Sequence, residues 1–196
     1  MDKTPTQFAD SNTPEPKPMR VLFIARAPFV SGAERALMSM LRHLDRSRVE
    51  PHLALGHETE MFDLAREANV PTTLLPTPKR SRSSMLAWWR SVRMLKKLVN
   101  EFQPDLMHAN DVPSCQAMSV VGAKMHVPRV AHVRWVIDAS SMAWWARAGM
   151  DRIICISQWV RDELGELGGA SIEHATCDII PDAVDWPANR SYASPQ

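Results

Sequence analysis

Short, nearly continuous apolar runs recur along this chain, each followed by a stretch of helical periodicity. The first run, 20–25, reads Arg-Val-Leu-Phe-Ile-Ala and lacks the polar alternation of a half-solvated strand. Such a run fits a strand covered on both faces, as in a parallel sheet. The same reasoning predicts strands over 52–55, 72–75, 105–109, 129–133, 152–156 and 177–180. Helices are predicted from Ser31, over 60–69, 84–102 and 142–148, one opening at Pro113, and one capped by Ser157. Strands alternating with helices define an α/β class built on a doubly wound, mainly parallel sheet.

The predicted folded unit is 19–185. Residues 1–18 hold Pro5, Pro14, Pro16 and Pro18 among polar side chains and are expected to be a flexible tail. Residues 186–196 are expected to be a second polar tail or the start of a linker. Lys and Arg number 23 against 22 Asp and Glu, a net charge of +1, so no global basic field gathers nucleic acid. The three cysteines, Cys115, Cys155 and Cys177, are too widely spaced for a zinc ribbon or a disulfide framework, and a reducing, cytoplasmic setting is expected. No run of 18 apolar residues is present. Neither a metal nor a cofactor is expected.

In open α/β sheets ligands bind beyond the carboxyl ends of the strands, so chemistry is sought in those loops. The loop after the first strand carries Ser31, Gly32, Ala33 and Glu34. It has neither the Gly-x-Gly-x-x-Gly nor the Gly-Lys phosphate-loop fingerprint. Its small residues would leave backbone N–H groups open to a phosphate at a helix N-terminus. Alternatively, Ser31 is only a cap and Glu34 only complements the helix dipole. The loop after the fourth strand offers His108, Asn110 and Asp111, suited to binding hydroxyls or moving a proton. Asn110 and Asp111 also read as a strand end and a helix cap. After the fifth strand come His132, Arg134 and Trp135. Strand alternation sets His132 and Arg134 on one face, with Arg134 suited to a phosphate or carboxylate. His132 also reads as a satisfied core histidine.

Five segments occur in order: Gly32-Ala33-Glu34-Arg35, Pro104-Asp105-Leu106-Met107-His108-Ala109, Val133-Arg134-Trp135, Asp151-Arg152-Ile153-Ile154-Cys155-Ile156-Ser157 and Ile179-Ile180-Pro181-Asp182-Ala183-Val184-Asp185. Together they resemble the N-terminal domain of GT-B glycosyltransferases, in the large retaining, glycogen-synthase-like and mannosyltransferase-like group that uses nucleotide-sugar donors. The resemblance implies a Rossmann-like acceptor-side domain, a nucleotide sugar as substrate, and a glycan or lipid-linked acceptor. Under it Ser31, Gly32, Ala33 and Glu34 face the donor phosphates. The family's site histidine has no exact match here; His108 and Arg134 are the candidate catalytic residues, and Asn110, Asp111, His132 and Trp135 the candidates on the acceptor side. Three positions depart from the family pattern: Ser31 stands where glycine is frequent, Arg134 where histidine is frequent, and Ala183 where the final turn usually has glycine. The family continues into a second Rossmann-like domain, so this chain is expected to be about half of such an enzyme, completed in cis or by a partner subunit, and inactive alone. A non-catalytic α/β module that pairs with a separate protein is the alternative.

The helix over 84–102 divides into two faces. Trp88, Val92, Leu95, Val99 and Phe102 form one stripe, and Arg90, Arg93, Lys96 and Lys97 the other, preceded by Lys79, Arg80 and Arg82. A basic amphipathic helix with tryptophan fits peripheral contact with an anionic membrane. Docking of the apolar stripe on the sheet with solvated charges is the simpler reading. Trp135, Trp144 and Trp145 form an aromatic cluster suited to a sugar, a lipid or a missing domain.

Overall fold

The computed structural model describes residues 17–78, 83–135, 149–168 and 176–183. The expected helix over 142–148, with Trp144 and Trp145, lies outside them, as do Lys79, Arg80, Arg82, Val184, Asp185 and most of both expected tails. Seven strands form one sheet: β1 (Met19–Ala25), β2 (Val49–Leu55), β3 (Thr72–Leu74), β4 (Leu106–Ala109), β5 (Arg129–Val133), β6 (Arg152–Cys155) and β7 (Thr176–Ile179). Their order is β3-β2-β1-β4-β5-β6-β7, and every pair is parallel. The order reverses between β1 and β4, which makes their carboxyl ends the switch point where a crevice opens.

Helices α1 (Gly32–His43), α2 (Met61–Glu67), α3 (Met85–Phe102), α4 (Val112–Met125) and α5 (Gln158–Gly168) cover both faces. Strand alternation sorts the core. Leu22 and Ile24 of β1 pack with Leu95 of α3, Met118 of α4 and Leu164 of α5, whereas Val21, Phe23 and Ala25 pack with Leu37 and Leu41 of α1 and Met61 of α2. The apolar stripe of α3 is buried, and its basic stripe is exposed.

Two boundaries differ from the sequence reading for identifiable reasons. β2 begins at Val49 and runs through Pro51, which lacks a ladder donor. Pro51 pairs with Val21 of β1, but β3 joins β2 only from Leu53, so the proline sits where β2 has one neighbour. α2 ends early because Asn69 adopts φ 52°, a left-handed conformation that asparagine tolerates and a helix does not.

Candidate functional site

Beyond the carboxyl ends, the first loop is built by capping. Ser31 Oγ accepts from the backbone N–H of Ala33 at 3.3 Å, and the Glu34 carboxylate accepts from both the backbone N–H and the hydroxyl of Ser31. This capping box occupies Ser31 and Glu34 locally. Gly32 is different: a Cβ added there would meet nothing within 4 Å, so the space before it is open.

Asp111 is consumed in the same way. One oxygen accepts from the N–H of Ser114 at 2.8 Å, capping α4, and the other from the N–H of Arg26 at 2.7 Å, tying α4 to the end of β1. Burial raises its pKa, and the donated backbone N–H groups oppose that. Both oxygens are engaged in holding the fold. Asp111→Ala should therefore cost about 2–4 kcal/mol, since it strands two backbone donors as well as removing a cap. Urea denaturation measures this, and a loss below about 0.5 kcal/mol would contradict the assignment.

A single chain of hydrogen bonds links the remaining residues across the switch point. Asn110 Nδ2 donates to the carbonyl of Ala33 at 3.4 Å, joining β4 to α1. Asn110 Oδ1 accepts from Arg134 Nη1 at 2.5 Å. Arg134 Nε donates to Asp182 Oδ2 at 2.6 Å, which brings in the segment after β7. Arg134 Nη2 lies 3.2 Å from His132 Nδ1. A guanidinium only donates, so Nδ1 is the acceptor, and the neutral His132 ring carries its proton on Nε2. That nitrogen stands 3.6 Å from Asp182 Oδ1. The contact is not an ion pair: burial, reinforced by the charge of Arg134, lowers the His132 pKa to about 3.

His108 lies behind this chain. Its neighbours Met107 and Ala109 face α3 and α4, so its ring points to the opposite face, 5.1 Å from Phe23 and edge-on to His132 at 5.5 Å. Its Nδ1 is buried without a hydrogen-bond partner. Burial, together with the competing titration of the adjacent His132 ring and the charge of Arg134, brings its pKa to about 3, so it is a neutral imidazole at physiological pH. Trp135 projects outward with 71% of its surface exposed.

The two ends of this chain of bonds, Ala33 and the Arg134–Asp182 pair, line a cleft of about 840 Å³. Gly32, Ala33 and Arg35 of α1 line one side, and Arg134, Asp182 and Ala183 the other. His108 and Asn110 do not line it. Asp182 joins the site although no loop pattern in the sequence marks it as a site residue. It sits in the Pro181-Asp182-Ala183 turn, and only the parallel pairing of β5, β6 and β7 brings that turn to Arg134. Arg90, Arg93, Lys96 and Lys97 lie apart from the cleft on the exposed face of α3.

A parallel sheet with a crevice at its switch point and helices on both faces is a Rossmann-like half of the GT-B architecture. The chain belongs to Glycosyltransferase Family 4, whose profile matches residues 30–186. A search of curated protein sequences found no match. Among solved structures, it is similar to Alr3699/HepE from Anabaena, solved with UDP, with UDP and glucose, and with UDP-glucose. For the UDP complex the TM-score is 0.69 at 16% identity, covering 85% of this chain and 45% of that one. MurG from Acinetobacter baumannii superposes with a TM-score of 0.63 at 9% identity, covering 88% and 48%. A UDP-GlcNAc 2-epimerase from Methanocaldococcus jannaschii, solved with UDP-GlcNAc and UDP, gives 0.58 at 13%, covering 82% and 46%. The chain thus spans about half the length of the structures it matches. Because an epimerase shares the fold, the family match, not the fold, points to glycosyl transfer.

Proposed function

We propose that this chain is the acceptor-side N-terminal half of a retaining glycosyltransferase of the mannosyltransferase-like group, working at the cytoplasmic face of a membrane. It would take a sugar from a nucleotide-sugar donor to a glycan or lipid-linked acceptor. The observation that carries this reading is the Ala33–Asn110–Arg134–Asp182 chain of hydrogen bonds along a cleft at the switch point. It supports a rigid wall in which the open space before Gly32 receives the donor. Arg134, oriented by Asn110 and Asp182, meets the leaving diphosphate. Arg134 already has fixed partners, so it would need little reorganisation as charge develops. Trp135 stands on the acceptor side. His108 and His132 serve as positioning residues behind Arg134.

Half of a two-domain cleft leaves the reacting bond in water and supplies part of the contacts, so residues 1–196 alone should give no measurable transfer from common nucleotide sugars. Transfer should appear when a second Rossmann-like domain is supplied in cis or as a separate chain. A donor-hydrolysis and transfer screen tests this, and robust turnover by the chain alone would overturn it.

The exposed cations of α3 support the membrane contact, since Leu86 and Trp89 of the same helix are also exposed. Co-sedimentation with anionic liposomes should be reversed by salt and lost when Arg90, Arg93, Lys96 and Lys97 become Gln, at about 1 kcal/mol per cation. Equal binding to neutral vesicles would exclude the electrostatic contact.

A further inference from the structure

A second cavity, of about 790 Å³, opens on the other side of β1 from Arg134, between the ends of β1, β2 and β3 and the first half of α3. Three buried polar groups that line it have no hydrogen-bond partner: Arg26 Nε, Thr77 Oγ1 and Ser91 Oγ. Thr77 is 7% exposed and Ser91 2%. Buried polar groups in folded proteins almost always find partners, and a helical serine usually bonds to the carbonyl one turn back. Three of the residues that line this one cavity thus carry polar atoms with no partner, a demand that a ligand seated there can meet.

The chemistry of the walls defines that ligand. Arg26 and Arg90 bring two guanidinium groups, His57 stands beside them, and among the described residues no carboxylate lines the cavity. Gly56 lets the chain close tightly there: a Cβ would stand 2.8 Å from the Arg26 carbonyl and 2.9 Å from Thr77 Oγ1. Leu74, Pro76 and Met94 supply an apolar floor. Two guanidinium charges exceed the single charge of a carboxylate. With the two hydroxyl donors they match the three terminal oxygens and the charge of a phosphate. The apolar floor fits a short carbon skeleton.

We propose that this cavity binds the phosphoester of a small hydroxylated compound, either free or as the headgroup of a lipid, with Arg26 and Arg90 meeting the charge and Thr77 and Ser91 donating to the phosphate oxygens. Binding there is measurable whether or not the chain takes part in glycosyl transfer, so its failure is distinct from failure of the transfer reading.

The test uses the whole chain, titrated with glycerol 3-phosphate and followed by the backbone amide signals of Gly56, Thr77 and Ser91. Saturable shifts are expected with glycerol 3-phosphate and none with glycerol. Arg26→Met should weaken binding about tenfold or more, and Thr77→Val about fivefold. Thr77→Val should also leave the thermal midpoint unchanged or raise it, because it removes an unpaired buried hydroxyl. A hydroxyl with a structural role would lower the midpoint instead. Phosphatidylglycerol vesicles separate the two sources. A headgroup site gives vesicle binding that glycerol 3-phosphate competes away and that Arg26→Met weakens, whereas with a site for the free compound any binding through the α3 cations is indifferent to both. No saturable shift, or shifts unchanged in both variants, would overturn the proposal.

Discussion

Acidifying the chain from neutral pH to about 4.5 is expected to remove about 4–5 kcal/mol of its stability through two imidazoles, His108 and His132. Both have folded pKa values of about 3 against an ordinary 6.5, chiefly because burial penalises the charged ring, with Arg134 adding to the effect. Above pH 6.5 neither the folded nor the unfolded chain protonates these rings. Between 6.5 and about 3 the unfolded chain holds protons that the folded chain excludes, so each falling pH unit favours unfolding by about 1.4 kcal/mol per ring. Asp111 acts in the opposite direction. Its raised folded pKa stabilises the fold as pH drops through that value, and it offsets part of the loss.

Urea denaturation at stepped pH values measures the slope. His108→Phe should roughly halve it, since a phenyl ring fills the place beside Phe23 and does not titrate. The orphan Nδ1 of His108 means that this substitution breaks no hydrogen bond at that atom. An unchanged slope in His108→Phe would show that the acid sensitivity lies elsewhere. The same neutrality bears on function, because a ring that stays uncharged at pH 7 can accept one hydrogen bond and donate one but does not serve as a cationic acid.

Much of the fold follows from local pattern. β5 runs over the expected 129–133, the buried stripe of α3 matches its helical spacing, and Ser31, Asp111 and Ser157 each cap the predicted helix. These features rest on neighbours within a few positions, where side-chain type and spacing decide the outcome. What stayed hidden depends on strand order. Arg134 and Asp182 are 48 residues apart and meet because β5, β6 and β7 lie side by side. Cys155 and Cys177 read as isolated thiols, yet their sulfurs stand 3.4 Å apart on neighbouring strands. The cavity beside Thr77 likewise draws on three strand ends and a helix, none of which carries a phosphate-binding motif. His132 and Arg134 were legible as a pair because alternation within one strand is local. Their shared carboxylate was not.

Arg134→Ala should be among the most damaging single substitutions in the chain, costing about 3–5 kcal/mol. The Arg134 side chain is 9% exposed and that of Asp182 23%, so removing the guanidinium leaves a largely buried carboxylate uncompensated. It also strands Asn110 Oδ1 and His132 Nδ1, both of which accept from Arg134. Arg134→Lys should recover only part of the loss, since an ammonium is a point donor and cannot span three partners in a plane. Two further readouts separate this network from simple packing. First, the His132 pKa should climb from about 3, because the positive charge that depresses it is gone and the Asp182 carboxylate 3.6 Å away is freed to pair with it. Nuclear magnetic resonance titration of the imidazole follows that change directly. Second, adding Asp182→Asn to Arg134→Ala should restore about 1–3 kcal/mol, the coupling expected of residues in one ion-pair network. Strict additivity of the two substitutions, with His132 still titrating near 3, would mean that Arg134 merely fills space. In a completed two-domain enzyme the same substitution should lower transfer, and the double variant should regain stability without regaining activity, because the charge proposed to meet the diphosphate is still missing.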